Sequence, residues 1–190
     1  GQAATTLAER VLERNLADSL DRSMQRIARQ NNRKCRLVRM AEEQTVPPPE
    51  SFSHIILSGS EASAMEEQPW DKTLTDTIRF AMDHGKPFLG ICYGHQFLAR
   101  VLCGRSSVRK AAAPELGWTR VRVHNPENTL FAGAREWVTM VSHYDEVFGE
   151  TAEKELTILA SSPACRIHAF QYRELPIWGI QFHPEQDSDG

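Results

Sequence analysis

The sequence predicts an α/β layer architecture, and three observations carry that expectation. Apolar runs of strand length alternate with segments of helical periodicity in the first half. The second half is mostly short strand-like runs separated by turn residues. Between them, Pro87-Phe88-Leu89 runs through Gly90-Ile91-Cys92-Tyr93-Gly94 into the helical stretch Phe97 to Leu102. That is a strand, a sharp turn and a helix in succession.

The elements follow in order. Residues 5–30 lack glycine and proline and place Leu7, Val11, Leu12, Leu16, Leu20, Met24 and Ile27 at helical spacing, which predicts one long amphipathic helix. Cys35 to Met40 reads as a short strand, and Val46-Pro47-Pro48-Pro49-Glu50 as a rigid connector. A strand at 54–58, a helix over 71–84 closed by His84-Gly85, a strand at 87–91 and a helix at 94–102 closed by Cys103-Gly104 come next. Thr119–Val123, Glu136–Val141, Leu156–Ser161, Ile167–Tyr172 and Pro176–Phe182 read as strands, the last two joined by a turn around Arg173-Glu174-Leu175.

Composition bounds the function. At 190 residues the chain has the length of one domain. A net charge of -3 and a pI near 6.2 give no reason to expect nucleic acid or an anionic membrane as partner. The basic clusters at 33–36 and 105–110 read as solvated edges. Four cysteines, at 35, 92, 103 and 165, lack the paired close spacing of a zinc motif and read as reduced thiols, so no metal is expected. No apolar run is long enough to cross a bilayer and no signal-peptide pattern is present, which implies a cytoplasmic protein.

The chemistry concentrates in two motifs. Gly90 and Gly94 let the backbone turn sharply, so Cys92 is expected at a nucleophile elbow, strained and presented at a helix N-terminus. The helix N-terminus favours negative charge there, and the Tyr93 N–H is placed to donate to a developing oxyanion. The second motif is His183-Pro184-Glu185, at the end of the last strand. Proline biases His183 toward an extended conformation, which puts the side chains of His183 and Glu185 on the same side. Glu185 can then orient the imidazole that serves as base to Cys92.

Gly90-Ile91-Cys92-Tyr93-Gly94-His95-Gln96 and Gly179-Ile180-Gln181-Phe182-His183-Pro184-Glu185 together resemble the class I (triad) glutamine amidotransferases. Ile55 to Ser60, Glu115-Leu116-Gly117-Trp118 and Val141 to Val147 resemble three further family segments in the same order. The resemblance implies a mostly parallel central sheet flanked by helices, with a smaller antiparallel portion in the C-terminal half, as one domain over residues 1–190. It implies a Cys92–His183–Glu185 triad acting through a γ-glutamyl thioester, without metal or organic cofactor. Gly59, Ser60 and Tyr93 would form the oxyanion hole, and Gln96, Ser142, His143 and Tyr144 would hold the amino-acid end of the substrate.

The substrate implied is glutamine or a γ-glutamyl compound, and the partner is an ammonia-accepting synthase subunit or domain. A γ-glutamyl peptidase of the same fold and a partner-dependent, non-catalytic module are the alternatives. Two departures shape these expectations. The family's opening strand and closing helix are not visible, which predicts a chain trimmed at both ends. Ser60 stands where the family commonly has a second glycine, so a positive φ there would be costly and the hole would form only when the loop moves or a partner docks.

Overall fold

The computed structural model describes residues 22–40 and 46–186. The chain divides into two compact units, one comprising residues 1–39 and 184–190 and the other Met40–His183. In the first, residues 22–30 are helical and form α1. The helix ends at Asn32, whose φ of 52° lets the Arg33 N–H return to the Ala28 carbonyl at 2.8 Å. Asparagine tolerates that left-handed turn at a helix C-terminus better than most residues. The expected helix over 5–21 lies outside the described residues. The expected strand at Cys35–Met40 is not found: 33–40 joins no sheet among the described residues.

The second unit is built on one seven-stranded sheet among the described residues. Its strands are β1 (Ile55–Leu57), β2 (Phe88–Ile91), β3 (Val108–Val123), β4 (Glu136–Val147), β5 (Leu156–Ser161), β6 (Ala169–Tyr172) and β7 (Ile177–Ile180). The order across the sheet is β1-β2-β7-β6-β5-β3-β4. β1–β2 and β2–β7 pair in parallel, and the other four pairings are antiparallel. The α/β class is as expected, but among the described strands the antiparallel portion is the larger. Two hairpins account for this. β6 and β7 turn tightly at Arg173, with a φ of 50°, and β3–β4 forms a long ribbon.

That ribbon exceeds the expectation at both strands. β3 starts at Val108, because Val108 to Lys110 pair with Val147 to Asp145 before the register shifts between Lys110 and Glu115. Pro114 falls inside the irregularity, where the N–H it lacks is not needed. β4 runs on to Val147 instead of becoming a loop after Val141, and its Ser142 and Tyr144 point outward while His143 and Asp145 are buried. This period of two is the strand signature.

α2 (Asp71–Asp83) buries Leu74, Thr77, Ile78 and Ala81, one helical stripe. α3 (Tyr93–Cys103) buries every residue from Tyr93 to Ala99. Phe97, Leu98, Phe88, Phe170 and Ile177 form the centre of the core on which the parallel strands rest. A short α4 (Glu150–Glu155) was not expected from sequence, although its Glu150–Lys154 pair at i,i+4 is a local helix signal.

Candidate active site

β2 ends at Ile91, and Cys92 follows as the residue before α3, with φ 51° and ψ -103°. It belongs to both elements. Its N–H extends the β2–β7 ladder to the Ile180 carbonyl at 2.8 Å, and its own carbonyl accepts the first helical bond from Gln96 N–H at 3.1 Å. Holding a non-glycine residue at that φ costs on the order of 1–3 kcal/mol, which the two bonded frames impose.

The glycines of the elbow do a different job from the one expected. Neither Gly90 nor Gly94 has a positive φ. A Cβ on Gly94 would lie 2.0 Å from the Leu57 carbonyl oxygen, and one on Gly90 would lie 2.4 Å from the Gly94 oxygen. Glycine is required because α3 begins in backbone contact with β1, and this contact brings the residues after Leu57 over Cys92.

Gly59 is the residue brought there. A Cβ at Gly59 would lie 3.0 Å from His183 Cε1 and 3.5 Å from Cys92 Cβ, so the imidazole and the cysteine flank a single point. His183 is pinned from another direction by its own N–H, which donates to the Met140 carbonyl of β4 at 2.9 Å. Two residues further along β4, the Ser142 carbonyl faces the Cys92 sulfur at 3.7 Å. The convergence lies beyond the carboxyl ends of β1, β2 and β7, where sheets with parallel strands place their ligands.

The remaining expected residues divide. Ser60 is not among the described residues with positive φ, so the strain expected for it is absent. Its hydroxyl instead accepts the Ala62 N–H at 3.1 Å, stabilising the turn. Tyr93 is buried, and its hydroxyl accepts the Trp70 indole N–H at 3.1 Å; burial raises the phenol above its ordinary range. Gln96 is buried and its amide N–H groups donate to the Asp145 carbonyl at 2.9 Å and to Gln181 Oε1 at 3.1 Å, which ties α3 to β4. The His143 side chain is buried toward Glu115, whereas Tyr144 is 60 % exposed. Glu185 belongs to the other unit, separated from His183 in sequence only by Pro184.

Sequence reasoning missed the groups that hold the frame. Arg100, on α3, donates to the carbonyls of Ala64 and Glu66 at 2.8 and 2.9 Å and pairs with Asp71 at 2.7 Å, fastening the loop after Gly59. Ser63 adds a bond to Asp145 Oδ2 at 2.7 Å. His95 is wholly buried against Gly179 and the Phe170 ring, and desolvation, with His168 adding to it, pulls its imidazole down to about 3. It packs as a neutral ring.

A second buried polar group lies behind β4. Burial pushes the Glu115 carboxyl upward, but hydrogen bonds with His143 and His168 outweigh it and hold the group well below the usual carboxylate range. Cys165, beside them, is pushed up to about 12, chiefly by burial and then by the charges of Glu115 and Glu146. The Cys165-x-x-His168 spacing was the one local signal for this cluster.

A strained cysteine at a strand-to-helix elbow, with an imidazole across a glycine, is a candidate cysteine-nucleophile site on an α/β scaffold. The model of the glutamine amidotransferase class-I family matches residues 14–189, and the chain belongs to that family. Among its relatives is the glutamine-hydrolyzing GMP synthase of Thermoplasma acidophilum, in the form of one subunit of that enzyme. The two are 39% identical over 132 residues that make up 69% of this chain and 62% of the relative, so the chain spans less than two thirds of that protein. The same-named protein of Sulfolobus acidocaldarius is 35% identical over 153 residues, 78% of this chain and 75% of that one. The crystal structure of a glutamine amidotransferase from Thermotoga maritima superposes with a TM-score of 0.75 at 27% identity, covering 85% of this chain and 69% of that one. No helix among the described residues is long and apolar enough to cross a membrane.

Proposed function

We propose that the chain is a glutaminase that releases ammonia from the side-chain amide of glutamine for a synthase partner. The observation that carries this reading is the placement of Cys92 and His183 around Gly59, with Cys92 held at positive φ. Cys92 Sγ attacks the amide carbon, and the oxyanion is met by backbone N–H groups of Tyr93 and of the Gly59–Ser60 loop. His183 protonates the departing ammonia, leaving a γ-glutamyl thioester that water hydrolyses to glutamate. The orienting role falls to Glu185 by the family resemblance of the His183-Pro184-Glu185 motif. The Ser142 backbone and exposed Tyr144 receive the amino-acid end. Gln96 acts by fixing β4 against α3, and His143 by tying β4 to Glu115 of β3.

The partner reading rests on a surface beside this cleft. Leu116, Trp118, Val138 and Tyr144 are each 58–61 % exposed along the outward face of β3–β4, which also carries Ser142. An apolar stripe of that kind marks a surface that binds another protein. The GMP synthase relatives are named as single subunits of a larger enzyme, which fits such an arrangement.

The discriminating measurement is release of ammonia from glutamine against release of amino acid from γ-glutamyl dipeptides by the same preparation. Glutamine should be the better substrate by kcat/KM, and labelling by a glutamine-like electrophile should fall on Cys92. Faster turnover of dipeptides would replace the glutaminase reading with a γ-glutamyl peptidase. Labelling confined to Cys35, Cys103 or Cys165 would remove the nucleophile assignment.

A further inference from the structure

Glu115 on β3, His143 on β4, and Cys165 and His168 before β6 bring four donor atoms within 4.8 Å of one another. The two histidines and the cysteine are buried, and the Glu115 side chain is only 11% exposed. The donors are a carboxylate oxygen, two imidazole nitrogens and a thiol sulfur, so the cluster is not a patch of acids.

The arrangement inside the cluster is fixed from outside it. His143 Nδ1 lies 3.0 Å from the Asp145 carbonyl oxygen, which sets the ring, and its Nε2 lies 3.1 Å from Glu115 Oε2. His168 Nε2 reaches the same oxygen at 2.9 Å, and the two rings stand at 86°, so their nitrogens approach from different directions. Outer partners are in place for Glu115 and Cys165, while His168 Nδ1 is buried without one among the described residues. Ser162 Oγ donates to Glu115 Oε1 at 2.9 Å, and the Ile167 N–H is turned toward the Cys165 sulfur.

We propose that Glu115, His143, Cys165 and His168 form a structural zinc site. Thiolate and imidazole select a borderline metal such as zinc over magnesium or calcium. Zinc–donor bonds of about 2.0–2.3 Å set tetrahedral donor atoms roughly 3.3–3.8 Å apart, so the side chains need only small shifts. On binding, Cys165 gives its thiol proton to solvent as the S–Zn bond forms. Glu115 binds as carboxylate through Oε2 and each histidine as a neutral ring through Nε2. Two anionic and two neutral ligands cancel the charge of the ion, which suits a buried position. With four protein ligands the site is closed, a structural rather than a catalytic arrangement. It clamps β3, β4 and the segment before β6 directly behind Ser142.

The test uses the full chain carrying Cys92→Ser, so that the nucleophile supplies no thiolate. Mass-spectrometric metal analysis after chelator-free purification should find about one zinc per chain. Cobalt(II) loading should give a thiolate-to-cobalt charge-transfer band and the intense visible bands of tetrahedral geometry. Adding Cys165→Ser should remove the charge-transfer band. His168→Gln, which can still donate to Glu115, should lower zinc affinity at least tenfold while circular dichroism stays unchanged. A folded protein that is metal-free and gives no cobalt bands would overturn the proposal. A charge-transfer band that survives Cys165→Ser would overturn it too, and if that variant does not fold, His168→Gln and the parent spectrum decide.

Discussion

The parallel strands β1, β2 and β7 and the antiparallel ribbon β3–β4 meet at the same cleft and contribute to it differently. The parallel strands end in short motifs whose side chains, or the absence of them, act directly: Gly59, Cys92 and, three residues past β7, His183. The ribbon contributes backbone, with the Ser142 carbonyl facing the sulfur and the Met140 carbonyl holding His183 N–H. Its buried side chains support that backbone from behind. In the first region identity at a single position is decisive, whereas in the second the path of the strand is.

The largest effect that can break this contrast is at Cys92, the proposed nucleophile. Cys92→Ala and Cys92→Gly should each lower kcat/KM for glutamine by about 10⁴-fold or more, because both remove the proposed attacking atom. They should differ in stability. At φ 51° glycine escapes a steric cost that alanine bears, so Cys92→Gly should be the more stable of the two by about 1 kcal/mol in denaturant unfolding. Equal midpoints would mean that Cys92 is not strained.

Gly59→Ala comes next. Its new methyl would meet His183 Cε1 at 3.0 Å and displace the imidazole by tenths of an ångström. A loss on the order of 10²-fold in kcat is expected, with KM and melting temperature little changed. An activity loss that tracks unfolding instead would make Gly59 a packing residue.

The buried His95, in the first turn of α3, sharpens the comparison through pH. Its imidazole titrates near 3 in the folded chain against an ordinary 6.5. Between those values the unfolded chain binds a proton that the folded chain refuses, so stability is complete above pH 6.5 and falls as pH drops toward 3. The contribution to the slope approaches about 1.4 kcal/mol per pH unit. Urea midpoints of His95→Gln should show a shallower acid limb than the parent, and an unchanged limb would refute the role of this ring.

The smallest effects should come from Ser60→Gly and Ser142→Ala. Ser60 has no positive φ to relieve, and Ser142 offers its carbonyl while its side chain is exposed. Each should change kcat/KM by less than about threefold, which is roughly 0.6 kcal/mol. A large gain in Ser60→Gly would restore the idea of a gated oxyanion loop, and a large loss in Ser142→Ala would give the ribbon a side-chain role.

Local sequence determined the elbow, the α2 and α3 helices and most strand positions, because each is set by neighbours a few residues apart, whereas the last strand stops at Ile180 and His183-Pro184-Glu185 lies beyond it in a bridge and turn. Periodicity, helix caps and the demand of a strand-to-helix turn for small residues act over that range. Tertiary structure alone decided the rest. Pairing direction depends on which strands become neighbours, and Cys35–Met40, strand-like in sequence, joins no sheet among the described residues. Glycine at 90 and 94 reads as flexibility in the sequence, but its reason is the closeness of another stretch of backbone, the distant Leu57 in the case of Gly94. Glu115, His143, Cys165 and His168 carry no common motif. Only the antiparallel register of β3 with β4, and the turn before β6, bring their donor atoms together, since side chains far apart in the chain become neighbours through packing rather than through spacing.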